Sequence, residues 1–327
     1  MKNKKTLAER FGKLGHFLET KAAGLSLPRR AWMVIESLFC RMFLGITVED
    51  YFQYGFYEKN WLGRSRYYTW GRRQKLTARC NDAAKAVIFK DKALFVQYFG
   101  KFLDRRIIDM RTATREEFAA FAKGNDRIFV KPVDGSWGLG TSIESCSPET
   151  EEALYEKLKG QGVIAEEMIE QHPALARFNA SSTNSLRVVT FIDRSGKPVL
   201  MPGAILRIGR AGKIADNFHH QGIAAFVDNE TGLICTRGVD KEGRRYVVHP
   251  DSGVPIVGFQ IPQWEQIKAL ALEAALVVPE VRCVGWDITI TKDGSIVFIE
   301  GNDKADPDIA QMSLGEGVWS AYRDCEG

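Results

Sequence analysis

The sequence predicts an α+β protein, with a helical N-terminal region followed by two units that mix strands and helices. Three observations support this. The first 60 residues are mainly helical in pattern. A strand, a glycine-rich loop, a strand, a helix and a strand then follow between residues 127 and 169, and a β-hairpin closes a strand-rich second half. The divisions predicted are 1–75, 76–165 and 166–327.

Composition indicates an ordinary soluble, enzyme-like protein, with 45% hydrophobic and 26% charged residues. The net charge of +4 conceals an asymmetry. Residues 1–115 carry 24 Lys and Arg against 10 Asp and Glu, whereas residues 116–327 carry 21 against 31. The basic part could serve an anionic substrate, an anionic membrane surface or nucleic acid.

Cysteine usage and the first residues predict a reduced, cytoplasmic protein. No CxxC pair and no histidine at zinc-finger spacing is present, which argues against structural zinc and a disulfide framework. The basic start is not followed by the apolar core of a signal peptide. Residues 31–46 are too short to span a bilayer and contain Glu36 and Arg41, so they predict a buried helix and no transmembrane segment.

Aromatic residues are dense between positions 51 and 70. With the basic residues among them, they could form a stacking platform for single-stranded nucleic acid. A hydrophobic core with a solvated basic rim explains them more simply, so we predict core and no specific nucleic-acid partner. The residues concerned are Tyr51, Phe52, Tyr54, Phe56, Tyr57, Trp61, Tyr67, Tyr68 and Trp70.

A glycine-rich loop follows the predicted strand 127–133. Gly135, Gly138 and Gly140 allow backbone N–H groups to converge on phosphate oxygens, and Lys131 would add a positive charge. The spacing is neither that of a P-loop nor that of a dinucleotide-binding turn, and an ordinary turn remains the alternative. A helix from Ser147 and a strand over 163–169 complete this unit.

The second half predicts strands at 184–192, 199–207 and 224–227, and helices at 262–278 and 314–322. His219 and His220 are adjacent, so their side chains point apart in regular structure. We interpret both, together with His249, as structural.

The final hairpin, residues 284–302, consists of two alternating β-branched runs around Asp293-Gly294, a strong turn signal. A two-residue turn places Asp287 opposite Glu300, with Asn302 on the same face. The opposite, core face is predicted to hold Trp286, Ile288, Ile290, Val297 and Ile299.

Two carboxylates paired across strands, with Cβ atoms roughly 4.5–5.5 Å apart, repel each other unless one is protonated or a cation intervenes. Mg²⁺ completed by nucleotide phosphates and water is one solution. A solvated face neutralised by Lys or Arg is the other. Replacing Asp287 or Glu300 by its amide should in either case relieve the like-charge pair.

The order of these features resembles the ATP-grasp superfamily over residues 85–320, and most closely its sugar-transfer associated branch. The superfamily motifs are Asp91-Lys92, Lys131 before 135–140, Glu166-Glu167-Met168-Ile169, Arg187, Asp287 and Glu300-Gly301-Asn302. The branch is indicated by residues 184–190, Asp216-Asn217-Phe218 and residues 300–302. His219-His220-Gln221-Gly222 departs from the glycine pair expected there.

The resemblance implies two α+β subdomains that grip ATP. It implies that Lys92 and Lys131 contact the phosphates or adenine, and that Arg187 neutralises the transferring phosphate. The remaining implied nucleotide contacts are Gly135, Ser136, Gly138 and Gly140 over the phosphates, Glu166, Glu167, Met168 and Ile169 at adenine, and Gln171 at the ribose. The implied Mg²⁺ ligands are Asp287, Glu300 and Asn302, and Arg207, Asp216 and Asn217 would lie beside the substrate.

The resemblance further implies an ATP- and Mg²⁺-dependent ligase that joins a carboxylate to an amine through an acyl phosphate, in surface-polysaccharide or modified-sugar biosynthesis. A kinase that phosphorylates a hydroxyl is the first alternative. A polyanion-binding module with a vestigial nucleotide site is the second, and the intact set Lys131, Arg187, Asp287, Glu300 and Asn302 argues against it.

Overall fold

The computed structural model describes residues 7–135, 139–212 and 222–326. The helices are α1 Leu7–Lys21, α2 Leu27–Leu44, α3 Val48–Gln53, α4 Trp61–Ser65, α5 Trp70–Cys80, α6 Lys92–Phe99, α7 Arg115–Ala122, α8 Glu151–Leu158, α9 Pro173–Ala176, α10 Trp264–Ala275, α11 Asp308–Leu314 and α12 Trp319–Glu326. The strands are β1 Ile107–Asp109, β2 Arg127–Pro132, β3 Ser142–Ser145, β4 Val163–Glu167, β5 Ser185–Ile192, β6 Pro198–Leu200, β7 Ile205–Ile208, β8 Ile223–Phe226, β9 Gly238–Val239, β10 Arg245–Tyr246, β11 Cys283–Ile290 and β12 Ile296–Asn302. This mixture confirms the predicted α+β class and the helical N-terminal region.

A small antiparallel sheet has the strand order β1-β4-β2-β3. Helices α7 and α8 cover one face through Phe118 and Leu154, which pack with Ile128 and Ala165 of the sheet. Helix α7 begins at the predicted cap, Thr114, whose hydroxyl and Glu117 form a capping box. Helix α8 starts at Glu151, later than the predicted Ser147, because residues 147–150 form a turn.

A larger antiparallel sheet has the order β10-β9-β8-β7-β5-β11-β12, with β6 paired to β5. Trp264 and Ile267 of α10 pack on one face against Val188 and Trp286. The opposite face is covered by the N-terminal helices and the C-terminal segment, in two clusters that include Tyr51 and Phe226, and Tyr68 and Phe191. The larger sheet is therefore the middle of three layers.

The N-terminal helical region is locked to the end of the chain by buried polar contacts. The Gln311 side-chain oxygen accepts from the Tyr68 N–H at 2.8 Å, and its amide nitrogen donates to the Tyr54 hydroxyl at 3.1 Å. A Cβ at Gly317 would lie 2.2 Å from the Arg66 carbonyl oxygen, so glycine permits this close approach. The first 80 residues thus belong to the same packed body as the larger sheet.

The dense aromatic residues are mainly core, as predicted. Buried members are Tyr51, Phe52, Tyr54, Phe56, Tyr67 and Tyr68, whereas Trp61 and Trp70 are exposed. Burial withdraws most of these rings from a stacking platform for nucleic acid.

The prediction of a buried helix over residues 31–46 is wrong. Helix α2 buries Met33, Ser37 and Cys40 but exposes large apolar side chains on its other side, such as Ile35 at 59% and Met42 at 72%. The buried helix is predicted because the run is too short to span a bilayer and contains Glu36 and Arg41, and neither observation indicates which side of the helix is covered. Hydrophobicity around the whole helix does not reveal which face finds a partner. Within the described residues, no helix is long and apolar enough to cross a bilayer.

The hairpin pairs Asp287 with Glu300, as predicted, although the local reason differs. Ile290 pairs with Ile296, so Lys292, Asp293 and Gly294 form a three-residue loop and not the predicted two-residue turn. A β-bulge at Ile299 then shifts the register by one and restores the carboxylate pair.

Because of the bulge, the residues of β12 on the core face of the hairpin differ from the predicted ones. The core contains Trp286, Ile288, Ile290 and Phe298, with Ile296 packed against it. Val297 and Ile299 were predicted in their place, because an unbroken alternation would have put odd-numbered residues of β12 on that side.

All six cysteines are free. His249 is buried, with Nε2 3.1 Å from the Gly209 carbonyl, and burial lowers its pKa. This is the structural role predicted for it. His219 and His220 lie outside the described residues.

Candidate active site between the two sheets

A cleft of about 270 Å³ separates the small sheet from the edge of the larger one. Ile107, Lys131, Ile164 and Glu166 line it from the small sheet, residues 299–302 of β12 and the following Asp303 line it from the larger one, and α6 closes one side. The lining combines an apolar part with a concentration of charge. Its volume is close to the lower end for small-molecule sites.

Asp287 is the most enclosed carboxylate of the hairpin, with 3% of its side chain exposed. Arg187 forms a bidentate pair with it, donating from Nε to Oδ1 and from a terminal nitrogen to Oδ2 at 3.0 Å. Arg207 contributes a third contact at 2.8 Å and also donates to the Ser185 hydroxyl. Burial would raise the pKa of Asp287, but the two guanidinium groups outweigh it and lower the pKa to about 2.

Glu300 lies opposite Asp287 and is less well compensated. Burial and the neighbouring Asp287 carboxylate raise the pKa of Glu300, while Lys131 and Arg187 partly oppose that increase. The Asn302 side-chain nitrogen lies 3.4 Å from Glu300 Oε1. The sheet therefore brings the three predicted metal ligands to one side of the hairpin, where both arginines contact Asp287 directly.

Gly301 separates Glu300 from Asn302 and has a packing reason to be glycine. A Cβ there would lie 2.9 Å from ring atoms of Phe89 and Phe95 and 3.0 Å from Trp286. The backbone between the two polar residues is thus pressed against an aromatic cluster of the core. That contact fixes the depth at which Glu300 and Asn302 enter the cleft.

The small sheet contributes a second buried charge cluster. Lys131 Nζ lies 2.5 Å from Glu166 Oε1, and Arg105 donates to Glu166 Oε2 at 3.0 Å. Burial would raise the pKa of Glu166, but Lys131 and Arg105 lower it on balance. Both cations are almost fully buried, so this cluster is a fixed positive wall of the cleft.

Lys92 reaches the cleft from the first turn of α6, which Asp91 caps by accepting from the N–H groups of Ala93 and Leu94. Its Nζ donates to the Gly135 carbonyl at 2.7 Å, which places it at the start of the glycine-rich loop. Burial lowers the pKa of Lys92, an effect that Glu300 opposes.

The glycine-rich loop is described only at its two ends. Gly135 lines the cleft, and Gly140 has a φ of +76°, a conformation that favours glycine. Ser136 and Gly138 lie outside the described residues, as do Asp216 and Asn217.

Several implied nucleotide contacts are not brought to the cleft wall. β4 ends at Glu167, two residues before the predicted end at Ile169, and Met168 is exposed. The Glu167 carboxylate accepts from the Arg106 N–H at 2.7 Å. The Gln171 amide donates to two backbone carbonyls and accepts from Asn184, so its hydrogen-bonding capacity is used within the fold.

Arg105 is a site residue that the sequence did not single out. Besides holding Glu166, its guanidinium donates to the Phe298 carbonyl of β12 at 2.8 Å. It therefore ties the two sheets together at the back of the cleft. No motif marks it, because its partners lie 61 and 193 residues away in sequence.

The hairpin face fits Mg²⁺ in its chemistry. Asp287, Glu300 and Asn302 offer two carboxylates and an amide, and burial and Asp287 raise the pKa of Glu300, an effect that a bound cation would oppose. Among the described residues no group of three or more His, Cys, Asp or Glu could hold a metal by itself. Mg²⁺ usually takes one or two carboxylates and completes its shell with phosphates and water.

A family model described as sugar-transfer associated ATP-grasp matches residues 71–326. The search of curated proteins found no match. Among solved structures, N5-carboxyaminoimidazole ribonucleotide synthetase from Thermotoga maritima is similar with a TM-score of 0.45 and 11% identity, over 78% of this chain and 56% of that one.

Two further ligases are similar at the same level. The D-alanine-D-alanine ligase from Coxiella burnetii has a TM-score of 0.41 and 12% identity, over 75% of this chain and 61% of that one. The ATP-grasp ligase PsnB, complexed with a minimal precursor, has a TM-score of 0.41 and 15% identity, over 69% of this chain and 56% of that one. The chain thus spans between 56% and 61% of the length of these three proteins.

Proposed function

The chain belongs to the sugar-transfer associated ATP-grasp family, and on that premise we propose that it is an ATP- and Mg²⁺-dependent ligase that joins a carboxylate to an amine. ATP would phosphorylate the carboxylate, and the amine would displace phosphate from the acyl phosphate. The family's description associates it with sugar transfer, so the acceptor class proposed is a sugar or amino-acid carboxylate of surface-polysaccharide or modified-sugar biosynthesis. The reaction is placed in the cytoplasm, where ATP is available.

The observation that carries this proposal is the arrangement of charge across the cleft. Lys92 and Lys131 line the cleft together with Glu300 and Asn302 of the hairpin, and Asp287 is paired with Glu300 on the neighbouring strand. Phosphoryl transfer needs little covalent help from a protein but much charge neutralisation and alignment. Two lysines in the same cleft as a set of metal-binding oxygens supply both.

In this proposal the triphosphate lies between Lys92, Lys131 and the glycine-rich loop, and adenine lies in the apolar part of the cleft. That part is formed by Phe95, Val96, Leu103, Ile107, Ile164 and Ile299. The role of Glu166 is to hold the Lys131 ammonium by an ion pair, because its carboxylate is consumed by Lys131 and Arg105. We therefore assign it as a positioning residue and not as a contact to adenine through its side chain.

Arg187 would neutralise the transferring phosphoryl group. Its guanidinium is already held in place by Asp287, so it need not reorient when negative charge develops on the phosphoryl group. Removing one such preorganised contact typically costs about 2.7–4 kcal/mol of barrier. Mg²⁺, when bound by Asp287, Glu300 and Asn302, would supply positive charge to the phosphate oxygens.

The proposal is tested by trapping the acyl phosphate. The full chain is incubated with ATP, Mg²⁺ and a panel of uronic acids and amino acids, with hydroxylamine in place of the amine. A hydroxamate should form with the correct carboxylate, and the complete reaction should release ADP and free phosphate in equal amounts. Arg187→Lys should lower the yield per unit time by at least about a hundredfold.

The matched control is Lys292→Gln in the same hairpin, where the side chain is 71% exposed and pairs with Glu170 at the surface. This variant should behave as the wild type. A stable phosphorylated product, with ADP but neither free phosphate nor hydroxamate, would instead establish the kinase and overturn the ligase.

A further inference from the structure

Helix α2 is apolar on two opposite sides. Its inner side packs against the N-terminal core through Met33 and Cys40. Its outer side exposes Leu27, Trp32, Ile35, Leu38, Phe39, Met42 and Phe43, by between 45% and 79% of each residue. A helix that is hydrophobic all round is usually covered on every side, and within the described residues nothing covers this outer side.

Neighbouring segments extend the apolar surface. Arg64 of α4 pairs with Glu36 of α2 at 2.8 Å, which places the exposed Trp61 and Leu62 beside the helix. The Gly71 N–H donates to the Gly45 carbonyl at 3.0 Å, which places the exposed Trp70 at its C-terminal end. Twelve of the 21 exposed large apolar residues of the described chain lie between positions 25 and 70. We name this surface, from α2 with Trp61, Leu62 and Trp70, the α2 face.

The charges around the α2 face are positive. Helix α2 carries Arg29, Arg30 and Arg41 but one acidic residue, Glu36, which is held by Arg64. Residues 1–80 as a whole carry 16 Lys and Arg against 6 Asp and Glu. Exposed Arg29 and Arg41 therefore lie beside an apolar surface that also presents three tryptophans.

We propose that the α2 face docks on an anionic lipid surface, with α2 lying in the plane of the membrane interface. Apolar side chains with tryptophan on one face and arginines at its margins are the composition by which interfacial helices bind anionic bilayers. A second copy of the chain is a poorer occupant, because a twofold interface would bring the arginines of both copies together. Docking would hold the cleft near substrates or products at a membrane.

The experiment is flotation of the full-length protein with vesicles of equal parts phosphatidylglycerol and phosphatidylcholine, compared with pure phosphatidylcholine. The wild type should float with the anionic vesicles, and less of it should float as salt rises. Phe39→Ser combined with Met42→Ser should weaken binding about tenfold or more, because both side chains leave the interface. Arg41→Gln should weaken binding to the anionic vesicles by about fivefold and leave binding to neutral vesicles unchanged.

The matched control is Tyr98→Ser combined with Leu276→Ser, which removes two side chains that are 47% and 49% exposed on the side of the larger sheet away from the α2 face. The control should bind like the wild type. All variants should keep their Tm within about 2 °C, since only exposed side chains change.

Wild-type protein that does not float, or a Phe39 and Met42 variant that floats like the wild type, would overturn the proposal. Self-association in analytical ultracentrifugation that this variant abolishes, without any flotation, would assign the face to a second copy instead.

Discussion

The small sheet and the hairpin each hold a cluster of charged side chains, and the two clusters are balanced differently. On the small sheet, one carboxylate, Glu166, is shared by two cations, Lys131 and Arg105. On the hairpin, Arg187 and Arg207 both contact Asp287. Glu300 experiences the positive charge of Arg187 from a greater distance.

The pKa directions express this difference. The pKa of Glu166 and that of Asp287 are lowered in spite of burial, whereas burial and Asp287 raise the pKa of Glu300. A buried cluster is stable when each charge has a partner, and it is costly where one charge is left over. The hairpin has two arginines for its two carboxylates, but both arginines contact Asp287, so Glu300 is the carboxylate that a further cation would suit, while the small sheet has positive charge to offer phosphates.

The largest expected effect is the loss of a shared carboxylate. Glu166→Gln should lower the free energy of unfolding by about 3 kcal/mol, because Lys131 and Arg105, which are almost fully buried, lose the carboxylate they share. Asp287→Asn should lower it by a similar amount, because the buried carboxylate that Arg187 and Arg207 both contact loses its charge. For Asp287 this replaces the expectation, from the hairpin alone, that its amide would relieve repulsion. Urea unfolding followed by circular dichroism measures the change.

Glu170→Gln is the matched control for that experiment, since the Glu170 carboxylate is 74% exposed and pairs with Lys292 at 3.1 Å. Its effect should stay within about 0.5 kcal/mol. A loss below about 1 kcal/mol in Asp287→Asn would show that the two arginines relax into solvent and do not form a fixed cluster.

A smaller effect is expected from adding one methyl group under the hairpin. Gly301→Ala should destabilise the protein by about 2 kcal/mol, because the new Cβ overlaps Phe89, Phe95 and Trp286. It should also lower ATP turnover, since Glu300 and Asn302 shift with the backbone. Gly162→Ala, beside the small sheet, is the control: a Cβ there meets nothing within 4 Å, so stability should be unchanged or slightly higher. Equal effects of the two substitutions would remove the packing argument.

The smallest effect concerns Glu300 and depends on pH. Because its pKa is raised above the ordinary 4.5, the folded state binds this proton more tightly than the unfolded state, and wild-type stability falls as pH rises from about 4.5. Glu300→Gln should therefore stabilise the metal-free protein by up to about 1 kcal/mol at neutral pH and by less at about pH 4. Thermal unfolding in a chelating buffer tests this.

The opposite dependence is expected at Asp287. Its pKa is lowered from 3.8 to about 2, so its contribution to stability is present above 3.8 and is lost as pH falls toward 2. The loss of stability caused by Asp287→Asn should become smaller as pH falls through that window.

With Mg²⁺ and ATP added, the wild type should gain more in Tm than Glu300→Gln does. If the stabilities of Asp287→Asn and Glu300→Gln, each relative to the wild type, changed with pH in the same way, the two carboxylates would not differ in how their charge is compensated.

The sequence by itself predicted the elements whose signals are local. The alternation of residues 284–302, the Thr114 cap and the aromatic core of the N-terminal region follow from periodicity and from hydrogen bonds between near neighbours. The pairing of Asp287 with Glu300 was also correct. It was reached through a two-residue turn, however, whereas the chain uses a longer loop and a bulge that compensate each other.

Tertiary structure alone decided how charge is balanced and which surfaces remain exposed. Arg187 and Asp287 are 100 residues apart in sequence. Arg105, which joins the two sheets, is 193 residues away from its partner Phe298. Likewise, α2 is hydrophobic enough to be core, and only the packed fold shows that one of its sides has no partner among the described residues. The physical reason is the same in each case: burial and ion pairing depend on which segments meet in space, and sequence periodicity reports only the chain's own neighbours.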